Sequence, residues 1–276
     1  MLMLLFGVYL GWLPIFGSGP PGASAAAIRL PAGSPCHRGA RRRRVAGERS
    51  ILDARVKKLG LVIFDCDGVL VDSEPLSLAC LTAGLNRIGV DIDLATVRAR
   101  FTGTSMVSIM AHVARDYGIT APAGFVEAVK AETLALFDAE LRAMRGVAEA
   151  VAALDLPVCV ASSSDPVRLR HSLSLTGLLP LFGERVFSSA QVPRGKPFPD
   201  LFLFAADRMG AVPAACLVIE DSVPGVTAAR KAGMRVAGFT GGGHWGHDPA
   251  GAALIRAGAT RLFSDFSDLA TVMAEA

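Results

Sequence analysis

Residues 59–64 form a short apolar run rich in branched side chains, as expected of a strand buried on both faces of a parallel sheet. The run ends in a polar turn. Residues 158–161, 216–219 and 235–238 repeat the pattern, each stopping at small or acidic residues, and a helical stretch follows each of the first three runs. Helices are predicted over 166–175 with Gly177 as the stop, over 200–209 with Gly210, and over 223–232 with Gly233. Strands and helices in this order predict an α/β fold with a doubly wound parallel sheet. In such sheets ligands bind at the carboxyl ends of the strands, so the residues that end each run are the candidates for chemistry.

Between the first two strands the pattern changes. Residues 74–145 contain no convincing strand and carry helical periodicity over 76–88, 105–117 and 124–144. A connection inside an α/β unit runs about 2 to 6 residues, so this tract predicts a separate, all-helical cap inserted over the strand ends. The expected organisation is a leader over 1–58, an α/β core over 59–73 and 146–276, and a cap over 74–145.

The first strand ends in Asp65-Cys66-Asp67-Gly68-Val69-Leu70-Val71-Asp72-Ser73-Glu74. Two carboxylates two residues apart are costly to hold together unless something cationic neutralises them. The second strand ends at Ser162. In Lys196-Pro197-Phe198-Pro199-Asp200 a lysine is held rigidly by two prolines just before a helix, and the next predicted strand ends Ile219-Glu220-Asp221-Ser222. Taken singly, each has an ordinary explanation: an acidic turn, a turn serine, a solvated lysine, or acids capping a helix. Four in this order resemble the four motifs of the haloacid dehalogenase superfamily, in its branch of phosphatases and phosphomutases with a helical cap inserted after the first motif.

The resemblance implies a Rossmann-like core and a magnesium-dependent phosphatase. In it Asp65 is the nucleophile and forms an aspartyl-phosphate, while Asp67 protonates the leaving alcohol and later deprotonates water. Asp65, the main-chain carbonyl of Asp67, and Asp221 would hold Mg2+, with Glu220 close by or through water. Ser162, Lys196 and the amides around Cys66 and Ser163 would clamp the phosphate. The Cys66 side chain reads as a small buried group. The turn Thr102-Gly103-Thr104-Ser105 is similar in placement to the family's substrate-specificity loop and equally fits an ordinary helix N-cap.

Asp67 argues against a dehalogenase, which needs no acid for halide release. The one cap lysine, Lys130, lies far from the first motif, which argues against Schiff-base phosphonate cleavage. The competing reading is a phosphomutase similar to beta-phosphoglucomutase. It is weakened because residues 74–83 lack the histidine that such enzymes carry on the first cap helix. A loose likeness over 101–146 points to sugar-phosphate and 6-phosphogluconate phosphatases, and hence to a small phosphorylated metabolite as substrate. A binding protein that has lost catalysis is disfavoured because all four motif positions are filled.

Charge is distributed unevenly along the chain. Residues 1–58 hold ten of the 28 Lys and Arg and only two acids, so the other 218 residues are mildly acidic. They lack the clustered cations of a nucleic-acid binder. The leader passes from an apolar stretch over 2–16 through a Gly, Pro, Ala and Ser tract to five arginines over 38–44. No Lys or Arg precedes the apolar stretch, which is too short to span a bilayer. The leader is therefore read as disordered or non-native, no membrane is expected, and a chain beginning at Val56 should fold and keep its turnover. Five widely spaced cysteines, odd in number, fit free thiols in a reducing cytoplasm. A monomer is expected. His244 and His247, after three consecutive glycines, have a metal-like spacing but are read as part of an exposed flexible loop.

Overall fold

The structure, a computed structural model, describes residues 58–245 and 251–275; of the leader over 1–58 all but Lys58, and also His247, lie outside them. Its centre is a six-stranded sheet: β1 (Leu61–Phe64), β2 (Val158–Ser162), β3 (Val186–Ser188), β4 (Cys216–Glu220), β5 (Arg235–Phe239) and β6 (Arg261–Phe263). Every pairing is parallel and the spatial order is β3-β2-β1-β4-β5-β6. The strand order reverses between β1 and β4, so their carboxyl ends flank the crevice where such sheets bind ligands.

Side chains of the three central strands alternate between two apolar clusters. Val62, Phe64, Val158, Val160, Leu217 and Ile219 pack on one face, beneath helices that contribute Leu169, Leu173 and Val151. Leu61, Ile63, Cys159, Ala161, Cys216 and Val218 pack on the other, against Phe202, Ala205, Val226 and Leu254. Burial on both faces explains why these strands read as continuous apolar runs. The helix at Pro166–Leu175 begins and ends as predicted. The other two core helices, Asp200–Arg208 and Val223–Lys231, each stop one residue earlier than expected.

Two short strands escaped the pattern. β3 has three residues, and Arg261 and Leu262 of the edge strand β6 are exposed. Neither offers a run long enough to show a period.

The insert folds as four helices, Glu74–Arg87, Leu94–Phe101, Met106–Tyr117 and Phe125–Glu140. They enclose an apolar cluster of their own built on Leu81, Leu85, Val97, Ile109, Val113, Phe125 and Val129. The second of these helices was not expected; it spans only eight residues and starts at Asp93, whose side chain accepts from the Thr96 amide. The last ends four residues before the predicted stop, at Glu140, because Leu141 turns extended. From there the returning chain runs beside the outgoing one: the Asp72 amide donates to Arg142 O at 3.0 Å and the Met144 amide to Leu70 O at 2.9 Å. Phe137, Leu141 and Met144 already belong to the main core cluster.

Candidate active site

Asp65 follows β1 directly, and its amide donates to Ile219 O of β4 at 3.0 Å. Lys196 reaches the same place from the loop before the helix at Asp200–Arg208. Its ammonium lies 2.6 Å from Asp65 Oδ1 and 2.7 Å from Glu220 Oε1, and its side chain is only 4% exposed. Arg194 pairs with Asp200 across that loop at 2.8 Å and covers the Phe198 ring, which braces the turn carrying the lysine. The other oxygen of Glu220 accepts from the Ser222 amide at 2.7 Å and hydroxyl at 2.9 Å. Both Glu220 oxygens are thus engaged by protein donors.

Asp65, Glu220 and Asp221 each place an oxygen within 4.8 Å of the others. Three carboxylates here face one ammonium. Burial, with repulsion from Glu220 and Asp221 added, pushes the Asp65 carboxyl well above its usual pKa despite Lys196. Burial followed by Glu220 does the same to Asp221. Burial would strip the Lys196 proton, but Asp65 and Glu220 outweigh it and hold the ammonium charged. A buried oxygen-donor set with excess negative charge fits a hard divalent cation. Gly68 is required beside it: its φ is +79°, and a Cβ there would come within 1.9 Å of Asp221 Oδ2.

Asp67 has different surroundings. Ser73 donates to its Oδ1 at 2.6 Å, Arg168 to the same oxygen at 2.9 Å, and the Ser164 hydroxyl to Oδ2. Burial works to raise its pKa, but Arg168 and the hydroxyl donors outweigh it, leaving Asp67 below the usual carboxylate value. Ser73 occupies the N-cap position of the first cap helix without capping it, because its side chain is turned to Asp67. Arg168 lies over the Phe137 ring, 5.0 Å from its centroid. Ser73, Ser164 and Arg168 were not singled out in the sequence. The available signal for the arginine was its place on the first turn of the helix behind the Ser162 strand end.

Ser162 is buried at the end of β2, with its hydroxyl accepting from the Ser164 amide at 3.1 Å. Ser163 is exposed, and its carbonyl accepts from Ser189 at 2.9 Å; the Ser164 carbonyl accepts from Ser188 at 2.6 Å. Cys66 is buried, and burial followed by Asp67 and Asp65 pushes its thiol pKa far up, so it supplies no thiolate. The 102–105 loop is bonded locally within the cap. Thr102 donates to Arg98 O, Gly103 takes a φ of +68°, Thr104 donates its amide to Phe101 O, and Ser105 accepts from the Ser108 amide as a helix N-cap. His244 corrects the expectation of an exposed loop: it is buried, with Nε2 3.2 Å from Asp221 Oδ2.

Residues 59–233 match the family model of haloacid dehalogenase-like hydrolases, and the chain belongs to that family. Its enzyme class is phosphatase. It is 33% identical over 190 residues to a 6-phosphogluconate phosphatase of Escherichia coli, covering 68% of this chain and 86% of that one. With hexitol phosphatase B of Escherichia coli it shares 32% identity over 178 residues, 63% of this chain and 80% of the other. A solved haloacid dehalogenase family hydrolase from Deinococcus radiodurans, with bound phosphate and sodium, is 35% identical with a TM-score of 0.67, covering 79% of this chain and 96% of that one. Among the described residues no helix is long and apolar enough to cross a membrane.

Proposed function

We propose that the protein hydrolyses a small phosphorylated sugar or sugar acid in the presence of Mg2+, with Asp65 as nucleophile. The observation that carries this reading is Lys196 bridging Asp65 and Glu220 beside Asp221, while Asp67, two residues away, sits in a separate hydrogen-bond network. The sugar-phosphate class follows from the names of the two Escherichia coli relatives.

Asp65 and Asp221 would hold the cation with the Asp67 main-chain carbonyl. Glu220, with both oxygens occupied, would act mainly by fixing Lys196. When bound, Mg2+ supplies the positive charge that keeps Asp65 ionised and neutralises the phosphate. Asp65 attacks phosphorus in line, the ester P–O bond breaks, and the leaving alkoxide takes a proton from Asp67. In the second step Asp67 takes a proton from water as the oxygen attacks the acyl-phosphate, which releases phosphate and frees Asp65. Arg168, paired with Asp67, holds its carboxyl below the usual value, so Asp67 must take up a proton before it can act as the acid of the first step. Ser162, the amides of Cys66 and Ser163, and Lys196 would hold the phosphate oxygens. Residues 74–145 are assigned as the cap that selects the substrate, with the 102–105 loop as a candidate reader. The buried free thiols Cys66, Cys80, Cys159 and Cys216 support a reducing cytoplasm as its location.

The test is phosphate release from a panel of sugar and sugar-acid phosphates with Mg2+, with Ca2+ and with a chelator. Activity is expected with Mg2+ alone, because Ca2+ favours higher coordination. Acid-quenched protein should carry phosphate on the peptide containing Asp65. Full activity in chelator, or phosphate on another residue, would overturn the mechanism.

A further inference from the structure

The loop after β5 carries three consecutive glycines, Gly241 to Gly243, and then His244 and Trp245. Its backbone lies flush against the loop that follows β1. The Gly243 amide donates to Asp72 Oδ1 at 2.9 Å. A Cβ on Gly242 would stand 2.8 Å from the His244 ring and 3.1 Å from the Gly68 carbonyl oxygen. Side chains at these glycines would lift the loop away, so the sequence keeps the backbone bare and sends in the imidazole.

That imidazole is 5% exposed and packs on Trp245 with ring centroids 4.9 Å apart. Its Nε2 lies 3.2 Å from Asp221 Oδ2, the oxygen that a Cβ on Gly68 would strike. Among the described residues its buried Nδ1 has no hydrogen-bond partner. A buried, unsatisfied nitrogen costs free energy that a leucine of similar size would not. The ring is therefore kept for something other than filling space, and its contact with Asp221 supplies the reason.

We propose that His244 is a positioning residue for the metal site: its ring edge, with Nε2 3.2 Å from Oδ2 of Asp221, braces this carboxylate so that it is already oriented when the cation arrives. Outer partners that orient ligating carboxylates typically contribute about 10- to 100-fold in metal affinity. The proposal rests on the assignment of Asp221 as a metal ligand.

The experiment is isothermal titration of MgCl2 into the full-length, metal-stripped protein, with thermal unfolding in chelator as the check on folding. His244→Leu keeps the volume and loses the ring nitrogen; it should weaken Mg2+ binding by about 10- to 100-fold. His244→Gln places an amide nitrogen near the Nε2 position and should recover most of that loss, whereas His244→Asn is too short and should not. If the leucine variant does not fold, the Gln and Asn pair carries the test. Equal Mg2+ affinity in these two, or wild-type affinity in a folded His244→Leu protein, would overturn the proposal. Asp221→Asn separates the two levels. Loss of binding there with none in the His244 variants removes only the role of His244, while unchanged binding in Asp221→Asn removes the metal assignment and the inference with it.

Discussion

At the carboxyl ends of β1 and β4, charge is buried and tied to specific donors: Lys196 to two carboxylates, Glu220 also to Ser222, and Asp67 to two hydroxyls and a guanidinium. In the cap, the ion pairs lie at the surface. Arg87 pairs with Glu132 and Arg100 with Asp116, while the 102–105 loop is held by local backbone and capping bonds. Buried charges lose far more when one partner is removed than exposed ones do. The strand ends are therefore fixed in composition by electrostatics, whereas the cap fold is held mainly by its apolar cluster and its helix ends.

The most severe way to break the contrast is Asp65→Asn, nearly isosteric yet unable to form an acyl-phosphate. Turnover should fall by at least about a thousandfold with the far-ultraviolet dichroism unchanged. Normal phosphate release would remove Asp65 from its role. Next, Lys196→Met should cost roughly 3 kcal/mol in urea unfolding, since it leaves Asp65 and Glu220 uncompensated, and Arg87→Ala in the cap should shift stability by less than about 0.5 kcal/mol. Similar costs for the two would erase the distinction between buried and exposed charge. Asp67→Asn should lose on the order of tenfold more activity on an alkyl phosphate than on an aryl phosphate, whose leaving group needs less protonation. Arg168→Ala should show a smaller difference in the same direction, and equal loss on both substrates would detach Arg168 from Asp67. Smallest of all, Ser105→Ala should loosen the third cap helix by about 1 kcal/mol in hydrogen exchange.

Much of this layout was legible beforehand. The four strand ends carrying Asp65, Ser162, Glu220 and Gly238 could be read because buried parallel strands are continuous apolar runs that stop abruptly. Lys196 could be read because the prolines around it announce a rigid turn. Arg168, Ser73 and Ser164 could not, since each sits in a stretch with an adequate local explanation: a helix face, a helix start or a serine-rich turn. Their convergence on Asp67 is set by tertiary packing, which leaves no period in the sequence. His244 failed for the same reason; glycines beside it suggested freedom, while in the fold they permit close approach.

The paired crossings at 70–72 and 142–144 have a consequence for how such proteins diversify. The insert leaves the core and re-enters it at adjacent backbone positions, with Val71 bridged to Ala143. Its two ends are already together, so exchanging it for another module, or for a short loop, demands little extra closure entropy from the sheet. A catalyst assembled in this way can be re-equipped for a new substrate by swapping one contiguous cassette, without disturbing the register of any strand.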